Sequence, residues 1–370
     1  MGADVMKPNE LPNMVFNAKR NLLTRRSALQ LGAAAALSGS LAGSHLARAG
    51  QRIPYGVAVN MEPFRNDPEF KELLIRYVDV IVPMNALKWH DLRHTKGQFD
   101  FTRSDELISF AERHGKKVHG HALLWYHANP AWLEVLNSPR RLEALLIKHI
   151  ETVVGRYAGR VQTWDVVNEV VAHDPLSEGK WRRGIWYDTL GFKHVDIAFS
   201  VAARTDPTAK LFINDYDLED DSLRTKKRQD IILSIVRRLQ DKNIPIHGVG
   251  LQAHLYAERA IGAKNLASFI RQLEILGLEV SITELDIIDW KLSADIEARD
   301  RAVANVAKEF LSAVTDVTKP RTITSWGMSD RYSWIDDTFP RNDSAKARPL
   351  PFDRNWKPKP MFDVIRSFTG

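Results

Sequence analysis

The residues predict an α/β fold of one domain, a (β/α)8 barrel, on three observations. Short runs rich in β-branched residues recur eight times from Tyr55 onward, each followed by a longer stretch with helical periodicity. That alternation is the arithmetic of a closed parallel barrel. No Gly-x-Gly-x-x-Gly follows the first run, so an open, doubly wound sheet with a nucleotide crevice lacks its signature. Polar, acidic and aromatic residues gather at the C-terminal ends of the runs, where such barrels carry their chemistry.

In chain order, strands are expected at residues 55–59, 78–82, 117–123, 161–167, 210–214, 248–252, 279–283 and 322–326. Period-3.6 patterns between them predict helices at 70–77, 104–114, 142–157, 195–205, 225–241, 266–277 and 298–314, with a closing helix at 361–368. The stretch 327–359, rich in Pro, Asp and aromatics, reads as a decorated last loop. No repeat or linker marks a second domain, and a barrel with insertions accommodates the length.

The first 49 residues read as an export signal. Thr24-Arg25-Arg26-Ser27 precedes a mildly apolar run, 29–46, that ends in Ala47-Arg48-Ala49 before Gly50. Basic region, apolar run and small-x-small cleavage site stand in the order of a twin-arginine leader. The run is too short and too rich in Gly and Ser for a membrane span. The expected division is therefore a leader at 1–49 and a catalytic barrel at 50–370, exported to the periplasm or beyond. Removing the leader takes away six basic and two acidic residues from a chain of net charge +6, and leaves 46 basic against 44 acidic. Lys226-Lys227-Arg228 is the only compact basic run, so nucleic acid is excluded as a partner. With no cysteine, disulfides, thiolate nucleophiles and cysteine–metal sites are excluded too.

Two glutamates end strands three apart: Glu169 in Trp164-Asp-Val-Val-Asn-Glu169, and Glu284 in Val280-Ser-Ile-Thr-Glu284-Leu-Asp286. Glycoside hydrolysis needs such a pair, one carboxyl to protonate the leaving oxygen and one ionised below the sugar ring. Residues two apart on a strand share a face. Glu284 and Asp286 thus point together, as do Gln252 and His254, and a histidine between the two acids would hold the glutamate ionised. His119-Gly-His121 on the third strand is also a metal-ligand spacing. Trp89, Trp125, Trp132, Tyr216, Trp326 and Trp334 fall at or beyond strand ends, among polar Asn85, Lys88, Asn168 and Gln252. Some of these rings are core; others suit stacking on sugar faces.

These motifs resemble family 10 glycoside hydrolases. The resemblance rests on Asn85-Ala-Leu-Lys88-Trp89, Gly97-Gln-Phe-Asp-Phe101, Gly120-His121 through Trp125 and Pro130-Ala-Trp132. It continues through Trp164 to Glu169, Asn214-Asp-Tyr216, Gly248 to His254, Ile282 to Asp286, Trp326 to Trp334, Pro349 to Asp353 and Lys357 to Pro360. It covers nearly all of 53–368 in order. It implies a retaining endo-β-1,4-xylanase without metal or other cofactor, acting on xylan or its oligosaccharides; the chain is further expected to be monomeric and to carry no membrane anchor. Glu169 would be the acid/base and Glu284 the nucleophile, with His254 and Asp286 tuning Glu284. Asn168 would bind the sugar's 2-hydroxyl, and Asn85, Lys88, His121, Trp125, Tyr216, Gln252, Trp326 and Trp334 would line the glycone side. Met84 departs from the pattern, where relatives usually carry Glu, and so does Tyr126-His127-Ala128. Glu62, on the first loop, is a candidate to replace the missing acceptor. The rival readings are a hydrolase of another β-1,4 backbone or of short xylo-oligosaccharides, a metal-dependent hydrolase, and a barrel that binds saccharide without cutting it.

Overall fold

The computed structural model describes residues 52–370; the expected leader lies outside the described residues. Among the described residues nine strands run in parallel: β1 (Tyr55–Val59), β2 (Val80–Pro83), β3 (Lys117–Gly120), β4 (Thr163–Asn168), β5 (Lys210–Asp215), β6 (Gly248–Leu251), β7 (His254–Tyr256), β8 (Glu279–Ile288) and β9 (Ile323–Ser325). They are ordered β1 to β6 and then β8, β9 and β1 again, with β6 pairing β8 to close the cylinder. β7 is an outlying piece of the sixth stave that pairs with β8, His254 against Asp286. The eight-stave barrel is the predicted one.

Local chemistry sets the bounds. Helix Pro68–Tyr77 starts on Asp67, whose carboxylate accepts the Phe70 amide, with proline at the first helical position. It ends with the Val78 amide bonded to Leu74, which is why β2 begins at Val80 rather than 78. Ser222 and Asp295 cap the helices Leu223–Asp241 and Ile296–Thr315 in the same way. In helix Pro139–Arg156, Leu142, Leu146, Ile150, Val153 and Val154 form the buried stripe expected of a helix lying on a barrel. Short helices at Met61–Asn66, Trp89–Leu92, Ala131–Glu134, Ile185–Leu190 and Ile335–Thr338 decorate the loops, and their length gave no periodicity to read.

Staves pack through small residues. At Gly120 a Cβ would stand 2.2 Å from the Trp164 ring, and at Gly248 it would stand 2.3 Å from Phe212. The last loop is held by buried charge: Lys359 Nζ donates to Asp330 at 2.9 Å and to the Arg348 carbonyl at 2.7 Å. Fully buried, Arg299 is paired with Asp289. Those anchors hold the loop that carries Trp334 to the barrel mouth. Among the described residues no helix is long and apolar enough to cross a membrane.

Candidate active site

Glu284 and Asp286 leave β8 on one face, 4% exposed and fully buried. His254 bridges them, its Nδ1 2.8 Å from Asp286 Oδ1 and its Nε2 3.2 Å from Glu284 Oε2. The Trp334 indole donates to the other Asp286 oxygen at 2.7 Å. Burial alone would strip the proton from His254, but Asp286 and Glu284 reverse this and hold its pKa well above the ordinary value. Burial likewise opposes ionisation of Glu284, yet His121 and His254 outweigh it and keep that carboxyl below its ordinary range. His121 lies with Nδ1 2.9 Å from Asp165 and 4.0 Å from Glu284 Oε1.

A kink delivers His254. β6 stops at Leu251, and Ala253 takes the left-handed conformation at φ +59°. Glu219 Oε1 accepts the Ala253 amide at 3.2 Å, and the Asp286 amide donates to the Ala253 carbonyl at 3.3 Å. Gln252 and His254 both reach the site as expected, but from either side of a break rather than from one regular strand.

Glu169 follows the last residue of β4 and is also left-handed, at φ +55°. For a residue with a side chain this costs about 1–2 kcal/mol, and such strain persists where surroundings over-determine it, often at functional sites. Here the Glu169 amide is fixed to the Asn214 carbonyl at 2.9 Å. Its Oε1 accepts from Asn168 Nδ2 and Gln252 Nε2, both at 3.2 Å. Half-buried, the carboxyl opens to the cleft.

One residue without an assigned role joins the two glutamates. Asn214, fully buried at the end of β5, donates to Glu284 Oε1 at 2.7 Å and to Asn168 Oδ1 at 2.9 Å, while Thr283 donates to its oxygen at 2.7 Å. The signal that could have found it was a buried amide at a strand end, level with Asn168 across the ladder. Asp165, which anchors His121, lies mid-strand, where an acid carries no local mark of such a role.

Lys88 is 8% exposed, bonded to Asn85 Oδ1 at 3.0 Å, and lies 4.6 Å above the Trp125 ring and 5.8 Å from Trp326. Burial draws its ammonium below the ordinary value, opposed chiefly by Glu284 and Glu169. Met84 and Trp334 pack beside Trp326, so this wall is apolar with one cation in it. Glu62 is exposed, and its amide is bonded to Asn60. Trp89 is core, stacked on the buried His149 at 3.8 Å. Trp132 is half-buried, its indole bonded to the Arg93 carbonyl. The Tyr216 hydroxyl takes a hydrogen bond from Arg182 and meets His173 Nδ1 at 2.9 Å. Arg182, half-buried and stacked 4.6 Å from Tyr126, borders the same hollow as Glu169; nothing in its local sequence distinguished it from a surface arginine.

The chain matches Glycosyl hydrolase family 10 over residues 44–368. It is 38% identical over 291 residues to Endo-1,4-beta-xylanase A of Humicola insolens, covering 78% of this chain and 73% of that one. With Beta-1,4-xylanase of Dictyoglomus thermophilum it shares 34% over 307 residues, 81% and 84% of the two chains. The crystal structure of xylanase 10B from Thermotoga petrophila RKU-1 in complex with xylobiose superposes with TM-score 0.77 at 28% identity, covering 86% and 94%. Two strand-end glutamates in one amide network, on a barrel of this form, agree with the sequence match: the protein belongs to glycosyl hydrolase family 10.

Proposed function

We propose that the protein cleaves internal β-1,4-xylosidic bonds of xylan with retention of anomeric configuration. The observation that carries this reading is the contrast between the two glutamates, one half-open to the cleft, the other buried and held ionised by His254 and His121. In the first step a carboxylate oxygen of Glu284 attacks the anomeric carbon, the glycosidic C–O bond breaks, and the Glu169 proton passes to the leaving oxygen. In the second, Glu169 takes a proton from water, the resulting hydroxide displaces Glu284, and the sugar leaves with its original configuration. Asn168, whose oxygen is already filled by Asn214 and Gln252, is oriented to present its amide N–H₂ beside the reacting carbon, where the 2-hydroxyl would lie. Protons and charge balance with water and the two carboxyls alone. Lys88, Asn85, Trp125 and Trp326 supply hydrogen bonds and ring faces for the glycone sugar.

Proton NMR of xylo-oligosaccharide cleavage tests it. The β-anomer of the new reducing end should appear first, and early release of the α-anomer would overturn retention. Glu284→Gln should abolish turnover with the fold intact. Reducing-sugar release from xylan, cellulose and mannan identifies the backbone, and preference for either of the latter two would displace the xylan reading.

A further inference from the structure

The first half of the His-x-His pair on β3 has no part in the scheme above, yet it is built into the same buried charge network. His119 and His121 lie two apart on one face, 3% and 2% exposed. The β3–β4 register, His119 to Thr163 and Gly120 to Trp164, brings Asp165 of β4 level with His121. The carboxylate is shared between the two rings: His121 Nδ1 lies 2.9 Å from Oδ2 and His119 Nε2 lies 2.8 Å from Oδ1. The His121 contact is a hydrogen bond, whereas the His119 contact is close but misaligned for one, and among the described residues His119 Nε2 and Asp165 Oδ1 have no hydrogen-bond partner. A contact of that kind acts through charge.

We propose that His119 is a positioning residue for the nucleophile: it supplies positive charge against the buried Asp165 carboxylate. His121 is thereby held in place, and Glu284 is shielded from a second negative charge in the barrel.

The physical case starts from Asp165, which is 1% exposed. A carboxylate so placed needs a compensating cation or it protonates. Burial pushes Asp165 up, His119 is the largest opposing influence and His121 adds to it, and the balance lies at about 2. The two imidazoles thus favour the carboxylate form of Asp165. Its field reaches Glu284 and favours protonation there, against His121 and His254. The acids meeting in this part of the barrel are Asp165, Glu284, Asp286 and Glu169, and the basic side chains facing them are His119, His121, His254 and Lys88. Phe212, its ring 6.4 Å from His119, is the apolar neighbour. Removing the charge at 119 leaves His121 alone to answer Asp165 and raises the negative potential at Glu284. The bland alternative is a core histidine that fills space next to an aspartate.

The inference rests on Glu284 being the nucleophile, which anomer analysis and Glu284→Gln test independently. The decisive experiment compares wild type, His119→Gln and His119→Arg by the pH dependence of kcat/KM on an aryl β-xylobioside, whose acid limb reports the free enzyme's essential base. Glutamine keeps a polar side chain without charge, and arginine keeps the charge with another shape. His119→Gln should move the acid limb up by about 0.5–1 pH unit, whereas His119→Arg should stay near wild type. Coincidence of all three limbs, or an equal displacement in both variants, overturns the proposal, because either outcome makes the residue a space-filler. Should His119→Gln not fold, nitrogen-15 spectra of the histidine-labelled native enzyme decide. A doubly protonated His119 at the pH of greatest activity supports the assignment, and a neutral ring there refutes it.

Discussion

Replacing His254 by glutamine tests how the nucleophile is kept ready. The imidazole sits 3.2 Å from Glu284 and 2.8 Å from Asp286, both nearly or wholly buried. Unit charges 3.2 Å apart attract by ~5 kcal/mol at an effective dielectric near 20. Desolvation of both partners takes back much of that, leaving the about 1.5–3 kcal/mol typical of a hydrogen bond to a charged group. Lost from the ionised form of Glu284, this raises its pKa by about 1–2 units. Glutamine can still donate to one acid but leaves the pair without a cation. The acid limb of kcat/KM on an aryl xylobioside should accordingly rise by about 1–2 pH units while the alkaline limb stays. Stability should respond as well. The folded value of His254 lies well above its unfolded one, so its contribution is complete below about pH 6.5 and is lost as pH rises through the folded value. Wild type should therefore lose melting temperature on the alkaline side with a slope that His254→Gln lacks. An acid limb within ~0.3 unit of wild type, less than half a kcal/mol, would refute the reasoning and leave Glu284 to be tuned by His121 alone.

Four further outcomes are expected. Glu169→Ala should cut turnover of xylan by about 10²–10⁴-fold and spare activated aryl glycosides far more, with azide restoring part of the rate; equal losses without rescue would remove the acid/base role. Gly120→Ala puts a Cβ 2.2 Å from the Trp164 ring, which should cost about 1–3 kcal/mol and show as a lowered melting temperature; an unchanged melt would mean that the Trp164 ring can yield. Met84→Glu, set against Trp326 and Trp334, should improve cleavage of short oligosaccharides relative to long xylan by up to about one to two decades, and Glu62→Ala should reverse that ratio only if Glu62 serves the same hydroxyls. Arg25→Lys with Arg26→Lys should leave unprocessed precursor in the cell, and continued processing would favour the general secretory route.

Much of the site was legible because strand periodicity is local. Glu284 with Asp286, and Glu169 after Asn168, could be placed at strand ends from spacing alone, since side-chain direction alternates along a strand whatever surrounds it. Asn214 was not legible as a hub. An amide at a strand end is equally at home in a turn or a cap, and only the ladder between β4 and β5 brings it between two carboxyls. The contacts of Tyr216 were not legible either: its hydroxyl meets Arg182 and His173, which arrive from the loop after β4.

By itself, the order of residues determined the alternation of strand and helix, the number of staves, and which faces are polar. These follow from periods of 2 and 3.6 and from caps such as Asp67, Ser222 and Asp295, all read within a few residues. Spacing already suggested a histidine between Glu284 and Asp286; tertiary structure decided the balance of charges. Whether His254 is a cation, whether Asp165 stays ionised, and which histidine compensates which acid depend on distances of about 3 Å between separate strands and on the loss of water around them. Burial and neighbouring charge act through space, and no spacing along the chain encodes them.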